Sequence, residues 1–282
     1  MSYLEQSLRK KVLFITGKGG VGKTSVALAI AVASSRRGKR ALVVDWNPND
    51  TERIDFPEVQ QVERMHLAVL SCFHEYVIKK LRFEKIYELM FDNHVLKSFI
   101  NAAPGLSETV IAGKIWDLFE RRTHDLIIVD LPSSGHALSF FKSPLGVERL
   151  FAIGFVHREA KKIVDLFSSD QCQTDIVSLP EELPMKEAEQ LKEKIELTLP
   201  LKLGYLILNQ MTPDFGSLPE SMGSEIPPEA LPCYRLYLAR KTLETEALTT
   251  AGRLGLPTVS LPLLPSSGTL NTVQSLARAL LE

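Results

Sequence analysis

The sequence has few cysteines, no excess of charge of either sign and no long apolar run, and each absence excludes a class of protein. Its three cysteines, Cys72, Cys172 and Cys233, are far apart and form no CxxC pair, which argues against a disulfide framework and fits a reducing compartment. The formal net charge is −1, so no basic field indicates nucleic acid or an anionic membrane as a partner. No apolar run reaches the length of a membrane span, and the first residues lack the apolar core of a signal peptide. We therefore expect a cytoplasmic protein with no nucleic-acid partner and no stable membrane insertion.

One glycine-rich stretch carries the main chemical signal. It follows the apolar run Val12–Ile15 and precedes the small, apolar stretch Val26–Ala33, so it lies between a strand and a helix. Glycines allow several backbone N–H groups to point at an anion, and the helix adds the positive end of its dipole. In this pattern Lys23 reaches the β- and γ-phosphates of a nucleotide, and the Thr24 hydroxyl binds Mg²⁺. The alternative is a glycine-rich turn that binds nothing. The predicted binding residues are Gly17, Lys18, Gly19, Gly20, Val21, Gly22, Lys23, Thr24 and Ser25.

Two further apolar runs end in a carboxylate. Ala41–Val44 is followed by Asp45, and Leu126–Val129 is followed by Asp130. Short, continuous apolar strands are typical of a buried parallel sheet, and open α/β sheets bind ligands at the carboxyl ends of their strands. We therefore predict that Asp45 and Asp130 hold Mg²⁺ or its bound water, with a turn-capping role for Asp45 as the alternative.

The order of strand and helix patterns predicts a doubly wound, mostly parallel α/β fold in a single domain, residues 1–282. Leu67–Leu70 is interpreted as a short edge strand, and helical spacing of apolar residues then follows. We expect a helical subdomain over residues 67–122 and a short helical insertion over residues 144–173. The apolar faces of the subdomain either pack in the core or form an exposed groove for a client protein.

The glycine-rich loop has a second lysine, Lys18, directly after its first glycine. Loops that read Lys-Gly-Gly-Val-Gly-Lys-Thr resemble the deviant Walker A group, which includes the ParA/MinD ATPases, the nitrogenase iron protein, and the arsenite-pump and tail-anchored-protein-targeting ATPases. The segment after Asp130 narrows the resemblance. It reads Leu-Pro-Ser-Ser-Gly-His-Ala-Leu-Ser-Phe-Phe and matches the Gly-His, Leu and Phe that the arsenite-pump and targeting branch has at this place. The chain is thus similar to this branch, the anion-transporting ATPases, over nearly its whole length.

The resemblance implies a P-loop ATPase that binds MgATP in a homodimer and whose closure controls an unidentified protein or membrane-protein client. It implies that Lys18 reaches across the dimer to the partner's phosphates, and that Lys18 and Lys23 act in catalysis. Gly135 would donate its N–H to the γ-phosphate. Asn209 would contact adenine, and Pro262 and Leu263 would pack on it. Purely structural roles, such as turn capping by Asn209, are the alternatives.

The chain departs from the family pattern at several places. The first switch of the branch ends in a water-positioning Asp, whereas here Asp50 or Glu52 is the candidate, with Asp50 favoured because Asn47-Pro48-Asn49 favours a turn. Cys233 is a single thiol where the targeting factors have a zinc-binding pair, so no zinc site is expected. The chain has one P-loop, no metalloid-binding cysteine cluster and no methionine between residues 144 and 173. A ParA/MinD-like positioning ATPase and a nucleotide-binding scaffold without hydrolysis therefore remain alternatives.

Overall fold

The structure is a computed structural model that describes residues 2–46, 62–81, 105–214, 227, 229–265 and 268–282. Its centre is a seven-stranded sheet in which every described pairing is parallel, with the strand order β3-β2-β4-β1-β5-β6-β7. The strands are β1 (Val12–Gly17), β2 (Ala41–Asp45), β3 (Glu63–His66), β4 (Leu126–Asp130), β5 (Cys172–Ser178), β6 (Leu203–Met211) and β7 (Thr258–Pro262). The predicted parallel α/β fold is confirmed.

Helices cover both faces of this sheet. In chain order they are α1 (Tyr3–Ser7), α2 (Lys23–Arg36), α3 (Val69–Leu81), α4 (Leu106–Arg121), α5 (Ser134–Leu150), α6 (Phe155–Ser168), α7 (Glu182–Thr198), α8 (Leu231–Leu254) and α9 (Thr269–Ala279). Helices α1, α2 and α9 contribute buried side chains to one apolar core, and α3 to α8 contribute to the other. The sheet is therefore doubly wound.

The central strand β1 divides its side chains between the two cores. Leu13 and Ile15 pack on the α2 side, and Val12 and Phe14 pack on the opposite side, as the two-residue period of a strand requires. Phe14 contacts three phenylalanines of α5 and α6 with ring centroids 5.1–6.0 Å apart, namely Phe140, Phe141 and Phe167. This aromatic cluster fixes α5, and hence the segment after Asp130, against the strand that enters the glycine-rich loop.

A buried carboxyl fastens the first helix to the sheet. Asp175 of β5 accepts hydrogen bonds from the Tyr3 hydroxyl (2.8 Å), the Gln173 amide (2.8 Å) and the backbone N–H of Tyr205 (2.9 Å). Burial raises the pKa of Asp175 to about 6, against the pKa-lowering effect of these three donors. No pattern in the sequence predicted this cluster. At the start of α1, Ser2 and Glu5 form a capping box.

The structure corrects one predicted strand and describes parts of the two predicted helical regions. The interpretation of Leu67–Leu70 as an edge strand is wrong: the strand is Glu63–His66, Leu67 is buried in the connection that follows it, and Val69 begins α3. The helical pattern over residues 67–122 appears as α3 and α4, and its middle lies outside the described residues. Helical structure near the predicted 144–173 insertion already begins at Ser134. How the chain divides into subdomains stays a prediction.

Candidate nucleotide site

The glycine-rich loop joins β1 to α2 at the carboxyl edge of the sheet. Gly22 is the N-cap of α2 and adopts a left-handed backbone conformation with φ 90°. Lys23, the first residue of the helix, folds back and donates hydrogen bonds from Nζ to the carbonyl oxygens of Gly17 (3.2 Å) and Lys18 (2.9 Å). Burial lowers the pKa of Lys23, and the negative charge of Asp130 opposes that shift. The loop therefore holds a half-buried cation directly over its own backbone.

Two glycines of the loop, Gly17 and Gly22, are packed too closely against β5 and β6 to be replaced by residues with side chains. A Cβ atom on Gly17 would lie 2.2 Å from the Val177 carbonyl oxygen, and one on Gly22 would lie 2.4 Å from Nδ2 of Asn209. The buried Asn209 amide donates a hydrogen bond to the Val21 carbonyl oxygen at 2.9 Å. Asn209 thus braces the loop from β6.

The segments predicted to contact adenine lie side by side. Met211 pairs with Pro262 across β6 and β7, and the Leu263 N–H donates to the Met211 carbonyl oxygen at 2.7 Å. Gln210, next to Asn209, has a positive φ of 61°, which is uncommon for a residue other than glycine. Because such conformations gather at ligand sites, this irregularity near the end of β6 is consistent with base contact. The adenine role of Asn209, Pro262 and Leu263 nevertheless stays a prediction.

The predicted metal ligands converge beside the loop. The Thr24 hydroxyl donates to Oδ2 of Asp130 at 2.5 Å, and Asp45 lies level with Asp130 on the adjacent strand. Oδ1 of Asp130 is buried and has no hydrogen-bond partner among the described residues. Burial raises the pKa of Asp130 to about 6, whereas Thr24 and Lys23 lower it. A hydroxyl and an unsatisfied carboxylate oxygen fit Mg²⁺, which prefers oxygen ligands and retains several waters.

The carboxylate of Asp45 is held by two side chains that sequence reasoning missed. Arg64 Nη2 lies 3.3 Å from Oδ2 of Asp45, and His66 Nδ1 lies 3.1 Å from Oδ1. Both come from β3, where His66 pairs with Asp45 in register. Because the edge strand was predicted at Leu67–Leu70 and not at Glu63–His66, the sequence did not predict that Arg64 and His66 contact Asp45.

Lys18 is also held within its own chain. Its Nζ lies 2.7 Å from Oε1 of Glu187 on α7, and the two side chains are 29% and 32% exposed. Glu187 was not singled out in the sequence, because it lies in a helix rich in Glu and Lys. Lys18 therefore has a carboxylate of its own chain as its partner, and its predicted place beside the phosphates stays a prediction.

The structure describes the second switch region, which is the segment after Asp130, but not the residues predicted for the first switch. Gly135 is the second residue of α5, so its N–H is among the first four of the helix, which have no partner within the helix. An N–H in this position can bind an anion, and the predicted role of Gly135 at the γ-phosphate stays a prediction. Asp50 and Glu52 lie outside the described residues, and their roles stay predictions.

Comparison with known proteins identifies the family. Residues 10–168, more than half of the chain, match the sequence model described as anion-transporting ATPase. The chain belongs to the anion-transporting ATPase family. This finding confirms the resemblance drawn from the loop and from the Gly-His segment, and it covers both Lys18 and Asp130.

The curated relatives that the chain matches are distant in sequence. The chain is 26% identical over 227 residues to ATPase BagA of Mycobacterium tuberculosis, an alignment that covers 71% of this chain and 64% of that protein. It is 23% identical to an ATPase ASNA1 homolog of Entamoeba dispar (76% and 80% covered) and 24% identical to a putative arsenical pump-driving ATPase 2 of Aquifex aeolicus (72% and 81% covered). The match thus spans 64% of the length of the mycobacterial relative.

Among the described residues no helix has both the length and the apolar character that a membrane span needs. Within the same ranges no cluster of three or more His, Cys, Asp or Glu side chains is arranged to hold a metal ion. The site beside the loop has two carboxylates and one hydroxyl.

Proposed function

We propose that the chain binds MgATP at the loop between β1 and α2, hydrolyses it slowly, and does so as a homodimer whose two nucleotide sites face each other. Closure of this dimer would control the binding of a protein or membrane-protein client. Membership of an ATPase family supports the nucleotide chemistry, and the relatives include one named as a putative arsenical pump-driving ATPase. The client, the dimer and the cytoplasmic location belong to the proposal.

The observation that carries the proposal is the convergence of cationic and metal-binding groups on the loop. Lys23 lies over the loop backbone, Thr24 contacts Asp130, and the first N–H groups of α2 and α5 open on the same edge of the sheet. In this structure Lys23 and Thr24 contact groups of the protein itself: Lys23 donates to backbone carbonyl oxygens, and Thr24 donates to the carboxylate of Asp130. Phosphate oxygens and Mg²⁺ would replace those internal partners.

Catalysis would be mainly electrostatic. Lys23 and Lys18 would stabilise negative charge that develops on the phosphates, and the N–H of Gly135 would donate to the γ-phosphate. Bound Mg²⁺, held by Thr24 and Asp130 with Asp45 contacting its water, would neutralise phosphate charge. A first-switch carboxylate, Asp50 by preference, would accept a hydrogen bond from the attacking water and orient it.

Calorimetry with ATP and Mg²⁺, combined with a phosphate-release assay, tests this proposal. We expect the wild type to bind ATP and release phosphate, and Lys23→Ala to lose measurable binding because the loop loses its half-buried cation. Lys39→Ala, an exposed lysine beyond α2, is the control and should bind like the wild type.

Other outcomes would favour the alternatives. Absence of ATP binding by the wild type would contradict the proposal, and binding without hydrolysis would support a scaffold. Co-sedimentation with DNA or liposomes only in the presence of ATP would support a positioning ATPase instead.

A further inference from the structure

The contact between Lys18 and Glu187 suggests a control on dimer formation. We propose that Glu187 is a positioning residue that holds Lys18 within its own chain and thereby opposes ATP-driven pairing of two chains. This inference rests on the proposed function, in which Lys18 serves the partner's phosphates. It assigns a role to a residue of α7 that lies outside the glycine-rich loop and both switches.

The fold presents Glu187 to the loop in a fixed direction. Helix α7 buries Met185, Ala188 and Leu191 in the core, which sets the rotation of the helix about its axis. Glu187 therefore projects from the flank of the helix, where it meets Lys18 at 2.7 Å. The loop is fixed as well, because its first glycine lies against the backbone of β5, the strand that precedes α7. Both partners are thus positioned by the core and not only by each other.

The charges make this contact a competitor of the nucleotide. The ammonium of Lys18 has one charge, and transfer to a phosphate of a second chain requires it to leave the carboxylate of Glu187. After the transfer, that carboxylate would remain beside a phosphate-binding loop, where like charges repel. Glu187 thus favours separated chains for two reasons. The ion pair with Lys18 must break on pairing, and the Glu187 carboxylate then repels the bound phosphates.

The solvent exposure of the Lys18 and Glu187 side chains sets the expected size of the effect on pairing. Both side chains are about 30% exposed, and ion pairs with this degree of solvent access change an equilibrium by about fivefold or less. A dimer contains two such contacts, whose effects multiply, so loss of the Glu187 charge should lower the protein concentration for half-maximal pairing by roughly two- to 25-fold.

Analytical ultracentrifugation with ATP and Mg²⁺, in parallel with turnover at low protein concentration, tests the inference. Glu187→Gln should pair at a lower concentration than the wild type and turn over faster per chain where the wild type is mostly monomeric. Glu187→Asp, which keeps the charge, should lie nearer to the wild type. Glu193→Gln, an exposed change on the same helix, is the matched control and should have no effect.

A second series places each change in a Lys18→Ala background. Because Glu187 is proposed to act through Lys18, Glu187→Gln should no longer alter pairing there. Unchanged or weaker pairing by Glu187→Gln in the wild-type background, or an equal gain in the Lys18→Ala background, would overturn the inference. If Lys18→Ala itself leaves pairing and turnover unchanged, the shared-site part of the proposed function fails, and the inference fails with it.

Discussion

Replacing Gly22 with alanine should destabilise the protein by about 2–4 kcal/mol, of which a left-handed backbone accounts for about 1 kcal/mol. Gly22 has φ 90°, a region that disfavours any side chain. The added Cβ would also lie 2.4 Å from Nδ2 of Asn209, so the amide must move. That movement breaks the hydrogen bond to the Val21 carbonyl and leaves buried polar groups unsatisfied, which costs about 1–3 kcal/mol.

Gly20 provides the matched control for this prediction. It also has a positive φ, 83°, but a Cβ atom added there would meet no described atom within 4 Å beyond its chain neighbours. Gly20→Ala should therefore lose only the backbone contribution, about 1 kcal/mol. The difference between the two variants isolates the contact with Asn209.

Urea unfolding of Gly22→Ala, Gly20→Ala and the double variant Gly22→Ala/Asn209→Ala measures the free energies of unfolding, with Asn209→Ala alone completing the cycle. The double variant should lose less than the sum of its single changes, because truncating Asn209 removes the group that clashes. Equal losses in the two glycine variants, or strict additivity in the double variant, would refute the view that Asn209 braces the loop.

Three further predictions concern other groups. The folded-state pKa of Asp175, about 6, lies above its ordinary value of 3.8 because of burial, so the ionised group opposes folding. The stability of the wild type relative to Asp175→Asn should therefore fall by up to about 3 kcal/mol as pH rises from about 4 to about 7 in urea titrations, and a flat difference would contradict this. A thiol reagent should modify Cys233 alone in the native protein, because Cys72 and Cys172 are buried with pKa values raised to about 11 and about 12; rapid modification of three thiols would contradict it. Asp50→Asn should keep ATP binding but slow single-turnover hydrolysis about tenfold or more, a barrier increase of roughly 1.4 kcal/mol, and wild-type rates would reject the assignment.

The buried strands could be read from the sequence because each is a short apolar run at the centre of a parallel sheet. Val12–Ile15, Ala41–Val44 and Leu126–Val129 are all buried on both faces, and apolar runs of that length favour buried strands, since helices are usually longer. The edge strand could not be read in this way. Among the described strands Glu63–His66 has one sheet neighbour, and three of its four side chains are polar, so the apolar run Leu67–Leu70 provided the stronger but misleading signal.

The residues of the site that could be predicted differ from the others in the same way, by whether their position depends on local sequence. Local signals placed Lys23, Thr24 and Asp130, because their roles depend on spacing within a strand, a loop and a helix. Contacts between distant segments left no such signal. Arg64 reaches the β2 carboxylate only through strand register, and Glu187 reaches the loop only because α7 packs beside it. Such pairings follow from the tertiary fold and not from any local pattern.

The most direct test of the account is the dependence of ATP turnover on protein concentration for the wild type and for Lys18→Ala. If two chains share their nucleotide sites, turnover per wild-type chain should rise with concentration and then level off, in step with ATP-dependent pairing. Lys18→Ala should bind ATP at low concentration as the wild type does, yet show little pairing and little rise in turnover. Turnover per chain that is independent of concentration, and equal in the two proteins, would contradict the shared-site ATPase.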